Sequence, residues 1–400
     1  MNILKAKRTT ASIILSTILL SGMTIPQSIF AERGNDHALD SIKQEQTKTM
    51  TLDDAIKKAI ENSIDLKIVE NEKEKADELA NEAGNSYKKL NYVKAVTNGT
   101  GIKDAQQKQV TMAVEQTSIL QQGSKIKENA TLDFLKFGVT ASFYNINKIS
   151  KDIDFADSKA SNLQKTENIT RMKQEVGYES DLSLKNSKID TEKAIKDKKK
   201  SQEDLNAEYI KLNKLIGYNK EKRDILQDEL VYVPLKDSEE DVNYRVQKGI
   251  EIDPTVWQKQ KEAEIADMNV NLYVYNVQEY YTSQNRTLMP YRVEELNSAI
   301  AYNQIDQQKQ NIETIVRTTY NNIKKLEAVY DSLQTDKEKL DQNYKALKAK
   351  YDAGMATKQE LSDLELKKKE LEAGIYGVVV QHELLKMVYE KPFLYSAISK

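Results

Sequence analysis

The sequence predicts an all-α protein made of long antiparallel helical hairpins with coiled-coil packing, arranged as two internal structural repeats. Of its 400 residues, 30% are charged and only 7% are aromatic, which is a small supply of large apolar side chains for several compact cores. A Gly-x-x-(Ser/Thr) corner occurs twice, at residues 177–180 and 354–357. Long charged stretches with helical periodicity flank both corners, and such self-similarity indicates an internal duplication.

The first 31 residues predict a secretory signal peptide. Lys5, Lys7 and Arg8 precede an apolar run at residues 11–20, and Ala31 supplies a small residue for cleavage. We expect the exported chain to begin near Glu32, with residues 32–49 as a polar, flexible leader. An uncleaved membrane anchor is the alternative, although the run is short for a span of about 20 residues.

The first helical repeat is predicted at residues 50–217. Thr51 is a candidate N-cap, and Asp54 follows it in a capping-box arrangement. The predicted elements are helices over 51–94 and 104–174, a break at 98–101 and, after the corner, a third helix that ends at Gly217.

A connector at residues 218–241, which contains Pro234, is predicted to lead into a second repeat at 242–391. That repeat follows the same plan. Its predicted elements are helices over 242–280 and 291–353, a break at 281–290 and a third helix over 358–389, before a loose tail at 392–400. After the two corners, apolar residues recur at equal offsets, Leu184 and Ile189 in the first copy and Leu361 and Leu366 in the second.

Composition excludes several classes of function. Lys and Arg total 60 against 62 Asp and Glu, so a nucleic-acid partner is not expected. Cysteine is absent, which removes disulfides, thiolate metal sites and a cysteine nucleophile. His37 and His382 have no further ligands near them in the sequence, so we predict neither a metal nor a cofactor. Without a phosphate-binding loop or a nucleophile–base arrangement, we do not expect an enzyme.

Three segments of the chain resemble the outer-membrane efflux protein family, which is TolC-like. They are residues 50–56 (MTLDDAI), 316–323 (VRTTYNNI) and 351–357 (YDAGMAT). The resemblance covers nearly all of residues 50–391 and rests on duplication, order and spacing together. It implies a homotrimer whose helices form a tunnel, with the corners as membrane-proximal tips. The tips would meet a periplasmic adaptor, a membrane fusion protein, whose partner is an inner-membrane transporter.

The sequence departs from that family where membrane strands are expected. In the family, four strands per chain complete an outer-membrane β-barrel, and such a strand needs about 9 to 11 residues. Residues 95–103 and 281–290 lack room for two strands and a turn. We therefore expect a barrel-less variant with β-barrel strands largely absent, located in the cell envelope outside the cytoplasmic membrane. An outer-membrane location is implied by the resemblance alone.

The two corners contain the candidate functional residues. Glycine can adopt the left-handed backbone that ends a helix, and a hydroxyl three residues later can cap the next helix. A tight turn alone therefore explains each corner. The resemblance adds an adaptor-docking role for Gly177, Tyr178, Ser180, Gly354, Met355 and Thr357.

The resemblance also implies a gate near the second corner. The family's lumen-facing acidic pair falls on Glu360 and Asp363, and its tyrosine falls on Tyr351. Carboxylates gathered by threefold symmetry would form a cation-selective ring. The family's arginine and aspartate positions hold Ala356 and Ser183, so the lock between helices is not expected. A solvated helix face is the alternative explanation for the two acids.

Two functions are consistent with these patterns. The leading hypothesis is a passive conduit or docking component of an efflux or secretion system, with energy supplied by its partners. The alternative is a secreted or envelope-attached coiled-coil protein with a structural or adhesive role and no transport activity. A pore-forming toxin would need an apolar hairpin, and no stretch after residue 31 is apolar enough.

Overall fold

The structure is a computed structural model that describes residues 49–96, 104–227, 230–280 and 289–398. The predicted signal peptide, His37, residues 32–48 of the predicted leader, the break at 98–101 and residues 281–288 lie outside the described residues. Most of the two segments in which strands were considered lies there as well.

The described chain is almost entirely helical, as the sequence predicts. Its helices are α1 (Leu52–Asn62), α2 (Ile64–Val96), α3 (Asp104–Glu175), α4 (Asp181–Ile216), α5 (Asp241–Ile252), α6 (Pro254–Tyr280), α7 (Met289–Asp352) and α8 (Lys358–Glu390). Two short strands, β1 (Thr49–Met50) and β2 (Ile225–Leu226), pair in parallel. The helices α1 to α4 are repeated in order by α5 to α8.

Two long helices form the spine of the repeats. Helix α3 has 72 residues and α7 has 64, lengths of roughly 110 Å and 95 Å at 1.5 Å per residue. Helices α2 and α4 pack against α3, and α6 and α8 pack against α7. Each spine therefore contributes to two hairpins, one with the helix before it and one with the helix after it.

The prediction that the helices over 51–94 and 242–280 are continuous is wrong, because each is interrupted near its start. The first break is at Ser63, whose Oγ accepts the Leu66 N–H at 3.2 Å. The second is at Asp253, whose Oδ1 accepts the N–H groups of Thr255 and Val256, both at 2.9 Å. Short polar side chains compete with the helical backbone for hydrogen bonds and so start a new helix.

The apolar core lies in the middle of the molecule, where both repeats meet. Phe143 of α3, Ile216 of α4 and Val380 of α8 are buried in one cluster. A second cluster contains Val316 of α7 and Tyr389 of α8. Full burial of one such side chain contributes about 1.5–3 kcal/mol, so the repeats are joined most firmly here.

The predicted loose tail is ordered over Pro392–Ala397, which forms a 3-10 helix. Leu394 is 1% exposed and packs in a cluster with Phe134, Phe137 and Val388. Burial against side chains more than 250 positions earlier orders this segment. The prediction failed because the six residues carry no periodic pattern of their own.

The connector is held to the second repeat by charged side chains. Glu327 Oε1 accepts the Leu235 N–H at 2.6 Å, and Lys324 Nζ donates to the Leu235 carbonyl at 3.0 Å. Burial raises the pKa of Glu327, but the hydrogen bonds from Leu235, Lys324 and His382 outweigh it and lower the pKa overall. His382 is buried, with Nε2 at 3.3 Å from Glu327 Oε1.

No helix in the described ranges is both long enough and apolar enough to cross a bilayer. No group of three or more histidine, aspartate or glutamate side chains in those ranges is arranged to hold a metal ion. His382 is thus placed in the structure as a packed residue beside one carboxylate.

Candidate functional site: the paired helical corners

The first corner, residues 176–180, ends α3 with two backbone hydrogen bonds. The Gly177 N–H donates to the Gln174 carbonyl at 3.0 Å, and the Tyr178 N–H donates to the Lys173 carbonyl at 2.8 Å. Gly177 has φ of +80°. This pair of bonds around a left-handed glycine is the Schellman motif, which satisfies carbonyls that the helix end leaves free.

The second corner, residues 353–357, repeats that geometry. The Gly354 N–H donates to the Tyr351 carbonyl at 2.9 Å, and the Met355 N–H donates to the Lys350 carbonyl at 2.8 Å. Gly354 has φ of +74°. A Cβ atom added at Gly177 or Gly354 would meet no atom within 4 Å. The backbone conformation, and not crowding, therefore explains both glycines.

The caps that follow the corners differ. Ser180 Oγ accepts the Ser183 N–H at 3.1 Å. Thr357 Oγ1 accepts the Glu360 N–H at 3.2 Å, and Glu360 Oε2 accepts the Thr357 N–H at 2.7 Å in return. The second corner therefore has a reciprocal capping box, whereas the first has a single side-chain cap.

Glu360, one of the two predicted gate acids, is engaged in this cap. Its Oε2 also accepts the Thr357 hydroxyl at 2.9 Å. The hydrogen bonds from the Thr357 backbone N–H and then from its hydroxyl hold the pKa of Glu360 below its ordinary value. The carboxylate thus has a local structural role in the chain, at the positive end of α8.

Asp363, the second predicted gate acid, belongs to a polar network between α3 and α8. Its Oδ1 accepts Asn162 Nδ2 at 2.6 Å and Gln359 Nε2 at 3.0 Å. Gln359 Nε2 also donates to Asn162 Oδ1 at 2.9 Å, and Ser362 Oγ donates to the same oxygen at 3.2 Å. These contacts connect the second corner to the first repeat.

Asn162 is the residue that sequence reasoning missed. It is only 6% exposed although it is polar, and it is 201 positions from Asp363. Buried polar groups in a helix seam need partners and so specify one alignment of the helices. No local pattern on α3 marks Asn162, because the network exists only when α8 lies beside it.

The side chains at the two corners differ in exposure. At the first corner, Tyr178 is 84% exposed, and Val176 and Leu182 beside it are exposed as well. At the second, Met355 is 74% exposed, while Tyr351 is 37% exposed at the end of α7. The structure therefore places Tyr351, Glu360 and Asp363 in one region, with hydrogen bonds within the chain to both carboxylates.

Solved structures, but not sequences, resemble this chain. No protein-family model matches the sequence, and no curated protein matches it. The Campylobacter jejuni CmeC outer membrane channel has a TM-score of 0.62 at 10% identity, over 91% of this chain and 93% of that chain. The outer-membrane channel OprN gives 0.61 at 10% identity, over 84% of this chain and 88% of that chain. CusC gives 0.60 at 13% identity, over 87% and 91%.

The likeness covers nearly the whole chain in each case, at identities that establish the fold and no more. This chain has a TolC-like fold, as the sequence resemblance implied. The corners described above are the hairpin ends of that fold.

Proposed function

We propose that this chain is a subunit of a TolC-like helical tunnel in an efflux or secretion system. It acts as a passive conduit, and its transport energy comes from partner proteins. The observation that supports this proposal is a TolC-like fold over 84–91% of the chain, shared with three membrane channels. We assign the chain no catalytic step.

Assembly into a ring is supported by the way the repeats contact each other. Within the chain, α3 of the first repeat packs against α8 of the second. Since α4 corresponds to α8 and α3 corresponds to α7, the equivalent contact between neighbouring chains would join α4 of one copy to α7 of the next. Such a head-to-tail contact produces a closed ring when its rotation closes. We propose a homotrimer.

The free faces of α4 and α7 have the apolar residues that this contact needs. Leu182 and Ile189 are exposed on α4, seven positions apart and so on one side of the helix. Val329 and Tyr351 are exposed on the half of α7 that leads into the second corner, the end that would lie beside them. Exposed apolar faces of this kind are typical of surfaces that a partner covers.

We assign the docking of an adaptor to the two corners. We propose that the exposed corners, with Gly177, Tyr178 and Ser180 in one and Gly354, Met355 and Thr357 in the other, contact a membrane fusion protein. A cytoplasmic-membrane transporter would act behind that adaptor.

Tyr351, Glu360 and Asp363 are our candidates for the narrow part of the lumen, and the network at Asn162 would hold it closed.

We propose the same division of the chain as the sequence predicts, with export to the cell envelope outside the cytoplasmic membrane. The segments are a signal peptide at 1–31, a leader at 32–49, the first repeat at 50–217, a connector at 218–241, the second repeat at 242–391 and a tail at 392–400.

The mass of the purified protein in solution tests the ring. Light scattering should give three times the mass of one chain. Leu182→Glu combined with Ile189→Glu should reduce the mass to one chain while leaving the helical circular dichroism unchanged, because charge replaces the apolar face. Lys188→Glu, on the flank of the same helix, is the control and should stay assembled. A stable monomer of the unaltered protein at micromolar concentration would instead favour the structural or adhesive alternative.

Crosslinking tests adaptor docking. The chain has no cysteine, so Tyr178→Cys and Met355→Cys each provide a unique attachment point. We expect both to crosslink to an adaptor, whereas Tyr244→Cys, which is exposed far from the corners, should not. Equal labelling of unrelated proteins from all three sites would argue against docking.

A further inference from the structure

A groove between α4 and the connector lies far from the first corner. It has a volume of about 630 Å³, and its walls are formed by residues between 199 and 209 of α4 and by residues 223–225 of the connector. Ligand pockets commonly have volumes of about 300–1,000 Å³. At 1.5 Å per residue along α4, Asn206 is roughly 40 Å from the N-cap Ser180. We call this space the connector groove.

Arg223 is held in the wall of the connector groove by neutral groups. Its Nη1 donates to the carbonyls of Lys220 and Lys222 at 2.7 and 2.8 Å, and its Nη2 donates to Asn206 Oδ1. The guanidinium carbon is 5.1 Å from the centre of the Tyr209 ring. Arg223 takes part in no ion pair within the described ranges. A planar guanidinium held in this way can bind a carboxylate through its remaining N–H groups.

The other charges of the connector groove leave Arg223 as the one to be neutralised. Lys199 lines the groove, and its Nζ is 4.0 Å from Glu203 Oε1. An exposed pair of this kind contributes little free energy, so the ammonium group can also bind another carboxylate. The second acid in the walls, Asp224, is buried with Oδ2 at 3.9 Å from Lys222 Nζ. Two acids in the walls would repel a polymer of many negative charges more than a peptide with one or two carboxylates.

The second edge of the short sheet faces the connector groove. The Gln227 N–H donates to the Met50 carbonyl at 3.1 Å, so the odd-numbered residues of β2 direct their backbone groups towards β1 and the even-numbered ones away from it. The Asp224 carbonyl accepts the Tyr209 hydroxyl at 2.9 Å, which places this second edge beside α4. The sheet has two strands within the described ranges. A strand edge of this kind can bind an extended peptide as an added strand.

We propose that the connector groove binds an extended acidic segment of a partner protein, which adds to the second edge of β2. One carboxylate of the segment pairs with Arg223 and another lies near Lys199, while its apolar side chains pack on Leu205 and Ile225, which also line the groove. Positions 199 and 209 are about 15 Å apart along α4, a distance that an extended peptide spans with about five residues. The groove shares no residue with the corners, and binding there does not depend on ring assembly.

Fluorescence anisotropy of a labelled hexapeptide of alternating valine and glutamate, added to the purified full chain, tests this site. We expect binding that weakens as salt is added, because exposed charges are screened, and no binding of the corresponding valine and lysine peptide. Lys199→Glu should weaken binding about fivefold. Lys200→Glu is the matched control, because it makes the same change of charge one position away and does not line the groove. It should bind as the unaltered chain does.

Two further variants test the guanidinium. Arg223→Gln should weaken binding more than Lys199→Glu does, with the helical circular dichroism unchanged. Asn206→Ala keeps the charge of Arg223 but removes one of its acceptors, and should also weaken binding. A lack of binding by the unaltered chain, or an equal loss in Lys199→Glu and Lys200→Glu, would overturn the proposal. Competition by inorganic phosphate as strong as that by unlabelled peptide would indicate a simple anion site and would also reject it.

Two other occupants of the connector groove give different results. Binding that appears only after deletion of residues 32–48 would mean that the leader fills the groove. Binding only by the variant that combines Leu182→Glu with Ile189→Glu would place the groove between copies of the chain. Either result rejects a partner protein, whereas equal binding by all three forms supports it. Because the variant designed to be monomeric is measured as well, failure of the ring would leave the groove proposal standing.

Discussion

The two corners share one backbone and differ in what holds them. Their four Schellman hydrogen bonds agree in pattern, and the matching distances differ by at most 0.1 Å. The first corner has a single side-chain cap and exposed apolar residues at Val176, Tyr178 and Leu182. The second has a capping box, and a polar network ties it to α3.

The comparison shows that the backbone turn does not depend on the other side chains around it. A left-handed glycine and a hydroxyl cap are sufficient to reverse the chain, and both corners have them. The remaining side chains are then free to differ. The first corner therefore exposes more large apolar side chains, whereas the second has contacts with another part of the chain.

The largest expected effect is at Asn162. Asn162→Ala removes three hydrogen bonds of a side chain that is only 6% exposed, those with Gln359, Ser362 and Asp363. We expect the free energy of unfolding to fall by about 2 kcal/mol, measured by urea denaturation. Asn186→Ala, at an exposed position on α4, is the control and should change little. Equal stability of the two variants would mean that the network does not distinguish the second corner.

Substitution of the corner glycines compares the backbones directly. Gly177→Ala and Gly354→Ala each force a side chain into the left-handed region, which costs roughly 1–2 kcal/mol. Because the two geometries match, the two losses in the free energy of unfolding should agree. Gly84→Ala should act in the opposite direction, since alanine stabilises a helix interior by about 0.5–1 kcal/mol relative to glycine. A much greater loss at one corner would show that the corners are not equivalent in backbone.

The smallest effect is the pH dependence of the second cap. The pKa of Glu360 is lowered in the folded chain by its hydrogen bonds with Thr357, from an ordinary value of 4.5. Its contribution is therefore complete above pH 4.5 and is lost as the pH falls through the lowered pKa. The amide resonances of selectively labelled Thr357 should report this loss under acid conditions.

Glu360→Gln should abolish that titration, because the amide carbonyl can still accept a hydrogen bond but cannot be protonated in this range. The amide of Ser180 at the first corner has no reciprocal carboxylate and serves as the internal comparison. An unaltered Thr357 titration in Glu360→Gln would assign the pH dependence to another group.

Local signals made much of this fold predictable. The helix that ends at Gly217, the two corners and the helix starts after Ser180 and Thr357 all depend on residues within a few positions of each other. Capping and left-handed glycine are properties of such short segments. For the same reason the glycines and the capping hydroxyls of the corners could be named from the sequence. The docking and gating roles came from the family resemblance and remain proposals.

The tertiary structure alone decided which polar residues meet. The Asn162 network joins residues about 200 positions apart, and the order of the tail depends on burial of Leu394 in a cluster with Phe137. The duplicated hairpins and their corners follow from the sequence because their hydrogen bonds close within one helical turn. The polar network that distinguishes the second corner required the packing of α8 on α3, because contact between distant segments depends on how whole helices align and not on the residues beside them.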